Sequence, residues 1–263
     1  MVSGLKKAVS EAEVNIYGDI GFFKGMLVFL WVLLCLFVLN GIREPLWATL
    51  AGAVFYISLG AACIFLFKGI SSYLVFRPDN KKVPVFIGHR IDTVFVYPLI
   101  LMATTGMISS LLSIAGLYPA PVQSVAGPAA GTGLLMLRLV LLPPAAFAEE
   151  ILNLLIVSFI YTHIKLAGAI RLPCSIFAAA LAFSLLHVSA MGLQGSVYIG
   201  ISYLPVFFTT LFTGNIWISF LAHLYNNIIA LAGTYYSGSH ILVISAIAFI
   251  PVMWSLKSIF SKR

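Results

Sequence analysis

Charge is what this chain has least of. Only 9% of its 263 residues are Asp, Glu, Lys or Arg, whereas a globular surface needs about a quarter. A water-soluble enzyme is therefore excluded, and an intrinsically disordered chain is excluded by the scarcity of polar residues. Cysteine is scarce as well. Cys35, Cys63 and Cys174 form no C-x-x-C pair and lie in or beside apolar runs, so a disulfide-stapled secreted domain is excluded and buried, reduced thiols are expected. Strict alternation of polar and apolar residues is missing, which removes a transmembrane β-barrel. Neither Gly-x-Ser-x-Gly nor His-Glu-x-x-His occurs, so the serine-hydrolase and zincin signatures are absent.

Apolar residues make up 61% of the chain, with a mean hydropathy of +1.07. A helix crossing a bilayer takes about 20 such residues. Eight apolar runs can be drawn, at 22–39, 46–67, 94–117, 134–164, 174–191, 196–212, 216–235 and 241–256. Lipid offers no hydrogen bonds to backbone groups, so each run is read as a helix. The expected fold is an all-α polytopic bundle of about eight spans, forming a single domain over 1–263. The fourth run would be about 46 Å long if wholly helical, and Pro143-Pro144 is expected to kink or divide it. The first run ends in Leu39-Asn40-Gly41 and not in a small-x-small site, so it is expected to stay as an anchor.

The basic residues orient the bundle. Thirteen of the fifteen fall on the amino-terminal side of the membrane: Lys6, Lys7 and Lys24, then Lys68, Arg77, Lys81, Lys82 and Arg90, then Lys165 and Arg171, and finally Lys257, Lys262 and Arg263. Arg43 lies opposite and Arg138 near the outer end of the fourth run. The positive-inside rule then places both termini in the cytosol. The formal charge of +7 thus reports topology. A lipid bilayer, the cell membrane if the source is prokaryotic, is the expected surrounding, and nucleic acid is not an expected partner.

Six of the eight carboxylates lie in the first 92 residues, and beyond Asp92 only the adjacent pair Glu149-Glu150 remains. That pair falls near the middle of the fourth run, where one acidic residue costs roughly 2.5–3.5 kcal/mol to insert. Capping a helix that starts after the prolines would suit its charge but would leave it buried among apolar neighbours. Partners are available. Of five histidines, His89 and His240 lie at polar connections or span boundaries, and His163 sits at a helix end that favours a cation. His187 and His223 are interior, in Phe183-x-x-x-His187 and His223-x-x-x-Asn227, and four-residue spacing puts each pair on one helix face. Either histidine alone is an ordinary interhelical hydrogen-bonding residue. Together with the carboxylates they are most economically satisfied by converging on one site.

A carboxylate beside a neutral imidazole in a low-dielectric pocket activates water. A second histidine with an amide donor stabilises an oxyanion. Glu149, His187 and His223 also read as zinc ligands with one position open. Both routes are water attack on an acyl carbon; the first needs no cofactor and the second needs zinc.

Glu149-Glu150, Phe183-x-x-x-His187 and His223-x-x-x-Asn227, in this order on separate helices, resemble the three motifs of the CAAX-protease and bacteriocin-processing (CPBP) family, whose eukaryotic branch is the Ras-converting prenyl endoprotease. The resemblance covers about 134–235. It implies intramembrane hydrolysis of a peptide bond in a membrane-associated peptide or protein, with Glu149 and His187 activating water and His223 and Asn227 holding the oxyanion. Glu150 would be a supporting carboxylate and Phe183 a substrate contact. The family's first motif ends in an arginine four residues after the second glutamate, and here that position is Leu154. A catalytically silent relative with an immunity or scaffold role, and a proton-coupled transporter, are the competing expectations.

Overall fold

The computed structural model describes residues 20–67, 70–76, 85–116, 132–166 and 170–235. Among them the chain is helical, without a strand. The helices are α1 (Phe22–Gly41), α2 (Pro45–Leu66), a short α3 (Ser71–Leu74), α4 (His89–Ile114), α5 (Thr132–His163), α6 (Arg171–Leu185), α7 (Val188–Ser202), α8 (Leu204–Thr213) and α9 (Ile216–Tyr235). Five stretches are long and apolar enough to cross a membrane: α1, α2, α4, Gly133–His163 within α5, and Met191–Thr213, which joins α7 to α8. Arg171–Leu185 and Ile216–Ala232 are shorter apolar helices. Large apolar side chains point outward, with Phe65 and Ile114 each 83% exposed and Phe37 79%. Such a surface belongs in lipid, and the protein is a multi-pass membrane protein.

The expected runs map onto these helices with informative differences. α5 is unbroken, with Pro143 and Pro144 both inside it. A membrane helix carries prolines where neighbouring groups re-satisfy the backbone. The helix of the fifth run, α6, stops at Leu185, short of the expected 191. Leu186 N–H donates to Phe183 O at 3.2 Å and His187 N–H to Ser184 O at 2.9 Å, a tighter turn than the α-helix that hands the chain to α7. α7 is itself interrupted at Gly192, whose φ of 68° breaks the helix. Cys174, expected to be buried, is exposed, Cys63 is buried, and all three thiols are free. The eighth expected run, 241–256, lies outside the described residues. So do both chain ends, His240 and most of the basic residues that set the expected orientation.

α5 is the central helix and packs against α2, α6 and α9. Small residues set the close approaches. A Cβ built on Gly60 of α2 would stand 3.8 Å from Ala148 Cβ of α5. One built on Gly200 of α7 would meet Ser184 Cβ at 2.7 Å and Ala180 O at 2.8 Å, so α6 and α7 touch through a position only glycine fits. The entrance to α4 is held by Asp92, buried at 1% exposure. Its carboxylate accepts N–H bonds from Phe86 (2.9 Å), Ile87 (3.1 Å) and Gly88 (3.4 Å), ahead of a single π turn over Asp92–Val96. Gly214 in the left-handed conformation ends α8, and Asn215 Oδ1 accepts Trp217 N–H at 3.1 Å to start α9. That turn fixes how α9, and with it His223, faces α5.

Candidate active site

Ala146, Ala148 and Ile151, all buried, surround the acidic doublet on α5. Successive helical residues are about 100° apart, so the two carboxylates leave the helix in different directions. Glu150 points into the protein, with its side chain 1% exposed, and Glu149 faces a cavity at 16%. His223 of α9 lies between them and is 8% exposed. Its Nδ1 is 2.9 Å from Glu150 Oε1 and its Nε2 is 3.5 Å from Glu149 Oε2. The two edges of one imidazole therefore answer both carboxylates. Divergence along the helix does not separate them, because the ring spans the gap.

Tyr203, at the junction of α7 and α8, completes the cluster. Its hydroxyl donates to Glu150 Oε1 and lies 2.6 Å from His223 Nδ1. The ring is held by Phe183 of α6 at 4.7 Å and by His223 at 5.5 Å between centroids. Pro205, in the first turn of α8, has no N–H to give to the preceding helix, which marks this junction. Glu150 thus has two partners, an imidazole and a phenol. Arg138 donates through Nε to Thr49 Oγ1 on α2 at 3.4 Å. Leu154, where the resemblance would lead one to expect an arginine, is a core residue at 2% exposure.

Glu149 opens onto a cavity of about 500 Å³ whose wall includes Phe183, His187, Tyr203, His223 and Asn227. All six sequence-predicted site residues are accounted for. Glu149, Glu150 and His223 are in direct contact; His187, Phe183 and Asn227 stand around the same space. His187 Nδ1 is 3.0 Å from Phe183 O. A carbonyl only accepts, so Nδ1 carries the proton, and Nε2 of the neutral ring is an acceptor. Phe183 also packs on the His187 ring at 4.6 Å. The pairing differs from the expected one: the imidazole touching Glu149 is His223, whereas His187 reaches the cavity from the turn between α6 and α7, anchored on the Phe183 carbonyl.

The zinc set expected as an alternative, Glu149, His187 and His223, shares the cavity wall. Among the described residues, however, no three His, Cys, Asp or Glu side chains gather as a metal site.

Three polar residues beside the doublet escaped the sequence reading. Tyr203 sits in Ile201-Ser-Tyr-Leu-Pro205, where a tyrosine looks like any aromatic in an apolar run. Tyr56 of α2 lies with its hydroxyl beside Glu149. Asn153 of α5 is buried at 3%. The signal available for Asn153 was its spacing, one turn after the doublet. Comparison with known protein families, with curated proteins and with solved structures finds no match.

Proposed function

We propose that this protein is an intramembrane endopeptidase of the kind found in the CPBP family, an eight-span bundle with both termini in the cytosol, acting in the cell membrane if the source is prokaryotic. Its substrate is a membrane-associated peptide or protein. The observation that carries the reading is Glu149 in contact with His223 at the wall of a 500 Å³ cavity, with Glu150 held behind it in the apolar core. A buried acidic doublet is expensive in lipid, and a proton-transferring role accounts for keeping it.

In this reading the attacking water lies between Glu149 and the Nε2 of His187. Glu149 takes one proton as the water oxygen bonds to the scissile carbonyl carbon. Negative charge moves to the carbonyl oxygen, where the Asn227 amide and the outer N–H of His223 meet it. The intermediate collapses with cleavage of the C–N bond, and the proton on Glu149 passes to the leaving amine. Glu150 and Tyr203 fix the orientation of His223 throughout.

One observation favours a second reading, a catalytically silent relative with a scaffold or immunity role: a buried leucine, Leu154, stands where the family has its arginine. A single experiment separates the two. The purified protein is incubated in lipid with a library of membrane-associated peptides, beside Glu149→Gln, and the metal content of the same samples is measured. The peptidase reading expects peptide cleavage by the wild type and none by Glu149→Gln. Equal cleavage by both, or cleavage by neither, overturns it.

A further inference from the structure

A second, much smaller space is lined by Glu150, which does not line the large cavity. It measures about 10 Å³ and is lined by Glu150, Asn153, Leu154 and Thr210 together with apolar side chains of α5 and α8. Asn153 is 3% exposed, and among the described residues neither its Nδ2 nor its Oδ1 has a hydrogen-bond partner. A buried carboxamide with neither end bonded is rare, because each polar atom has given up its water for nothing. A space of roughly 10–15 Å³ holds one water molecule when two to four polar groups surround it. Three such groups are present here.

We infer that this space is the binding site of a single water molecule, which links the Asn153 amide to the Glu150 carboxylate. The hydrogen-bond inventory supports this assignment. Asn153 Nδ2–H donates to the water, which returns its own two hydrogens to acceptors, so the single water satisfies the amide nitrogen of Asn153 and not its Oδ1. One acceptor is Glu150, whose other bonds come from Tyr203 and His223. The second is Thr210 Oγ1, whose own hydrogen is spent on Val206 O at 3.0 Å and which accepts the Ser219 hydroxyl with one lone pair, leaving the other for the water. Asn153 and Glu150 are three residues apart on one helix, so their side chains are neighbours on its surface. Leu154 lines the same space, which is far too small for a guanidinium. Where the family motif carries a cation, this chain therefore holds the inner carboxylate with an amide and a water. Asn153 becomes a positioning residue for Glu150, and this consequence rests on the peptidase reading; the water site itself does not.

The test is an experimental structure in lipid at a resolution that shows waters, determined for the wild type, Asn153→Leu and Asn153→Ser, with turnover measured on each. The wild type should show density within hydrogen-bond distance of the Asn153 amide and the Glu150 carboxylate. Asn153→Leu, of similar size but apolar, should lose that density and about tenfold in kcat at unchanged KM, the signature of a lost bond to a charged group. Asn153→Ser keeps a hydroxyl and leaves room for water, and should retain the density and most of the turnover. An empty space in the wild type, or an Asn153 amide bonded directly to another side chain, overturns the water site. Unchanged kcat in Asn153→Leu overturns the positioning role. If the density is present but no variant, wild type included, cleaves peptide, the water site stands and the peptidase reading falls.

Discussion

Replacing Tyr203 with phenylalanine removes one oxygen from the centre of the cluster and almost nothing else. The ring contacts with Phe183 at 4.7 Å and His223 at 5.5 Å survive the change, so packing is preserved. What is lost is the hydroxyl donated to Glu150, a carboxylate at 1% exposure. A hydrogen bond to a charged group is worth about 1.5–3 kcal/mol, and water cannot easily replace it here. Tyr203→Phe should therefore lose about 1.5–3 kcal/mol of stability, read by reversible unfolding in bicelles. If the same bond keeps His223 oriented for the transition state, turnover of a cleaved peptide should fall roughly 10- to 100-fold. A variant with wild-type stability and wild-type turnover would refute the claim that Tyr203 holds the inner carboxylate.

His223→Ala leaves the buried Glu150 and the cavity-facing Glu149 without the imidazole between them, and truncating one side of a buried charged pair costs about 3–5 kcal/mol. Adding Glu150→Leu to that variant should recover most of the lost stability in the same unfolding assay, since an apolar side chain then fills the core. Asp92→Asn replaces a carboxylate that accepts from Phe86, Ile87 and Gly88 with an amide having one acceptor oxygen. Faster amide hydrogen exchange over 85–92, with the rest of the bundle unchanged and a local cost of about 1–3 kcal/mol, is the expected result.

Sequence reasoning reached the helices because the physics is one-sided: a run of about 20 apolar residues in a chain this poor in charge has few alternatives. The same one-sidedness singled out Glu149 and Glu150, since two carboxylates amid hydrocarbon demand partners. It also singled out His223, which the structure places against both. Which partner serves which carboxylate was not legible. Adjacent helical residues diverge by about 100°, and only the position of α9 shows that one ring reaches both. Tyr203 was invisible because its significance comes from the α7–α8 junction, a feature of tertiary packing with only Pro205 as a local trace. The end of α6 was misplaced for a similar reason. Phe183 to Met191 reads as uninterrupted apolar helix, while Gly192 and the tight turn at Leu186-His187 redirect the backbone.

The account turns on two carboxylates meeting one imidazole inside the bilayer. Solid-state NMR in lipid, with 15N in the histidines and 13C in the glutamate carboxyls, measures that contact without any substrate. Both ring nitrogens of His223 should show strong dipolar coupling to a glutamate carboxyl, matching Nδ1 at 2.9 Å from Glu150 and Nε2 at 3.5 Å from Glu149, and Glu150→Gln made in unlabelled glutamine should remove the Nδ1 coupling alone. His223 signals with no carboxyl coupling, together with rapid exchange of the doublet with bulk water, would contradict the account.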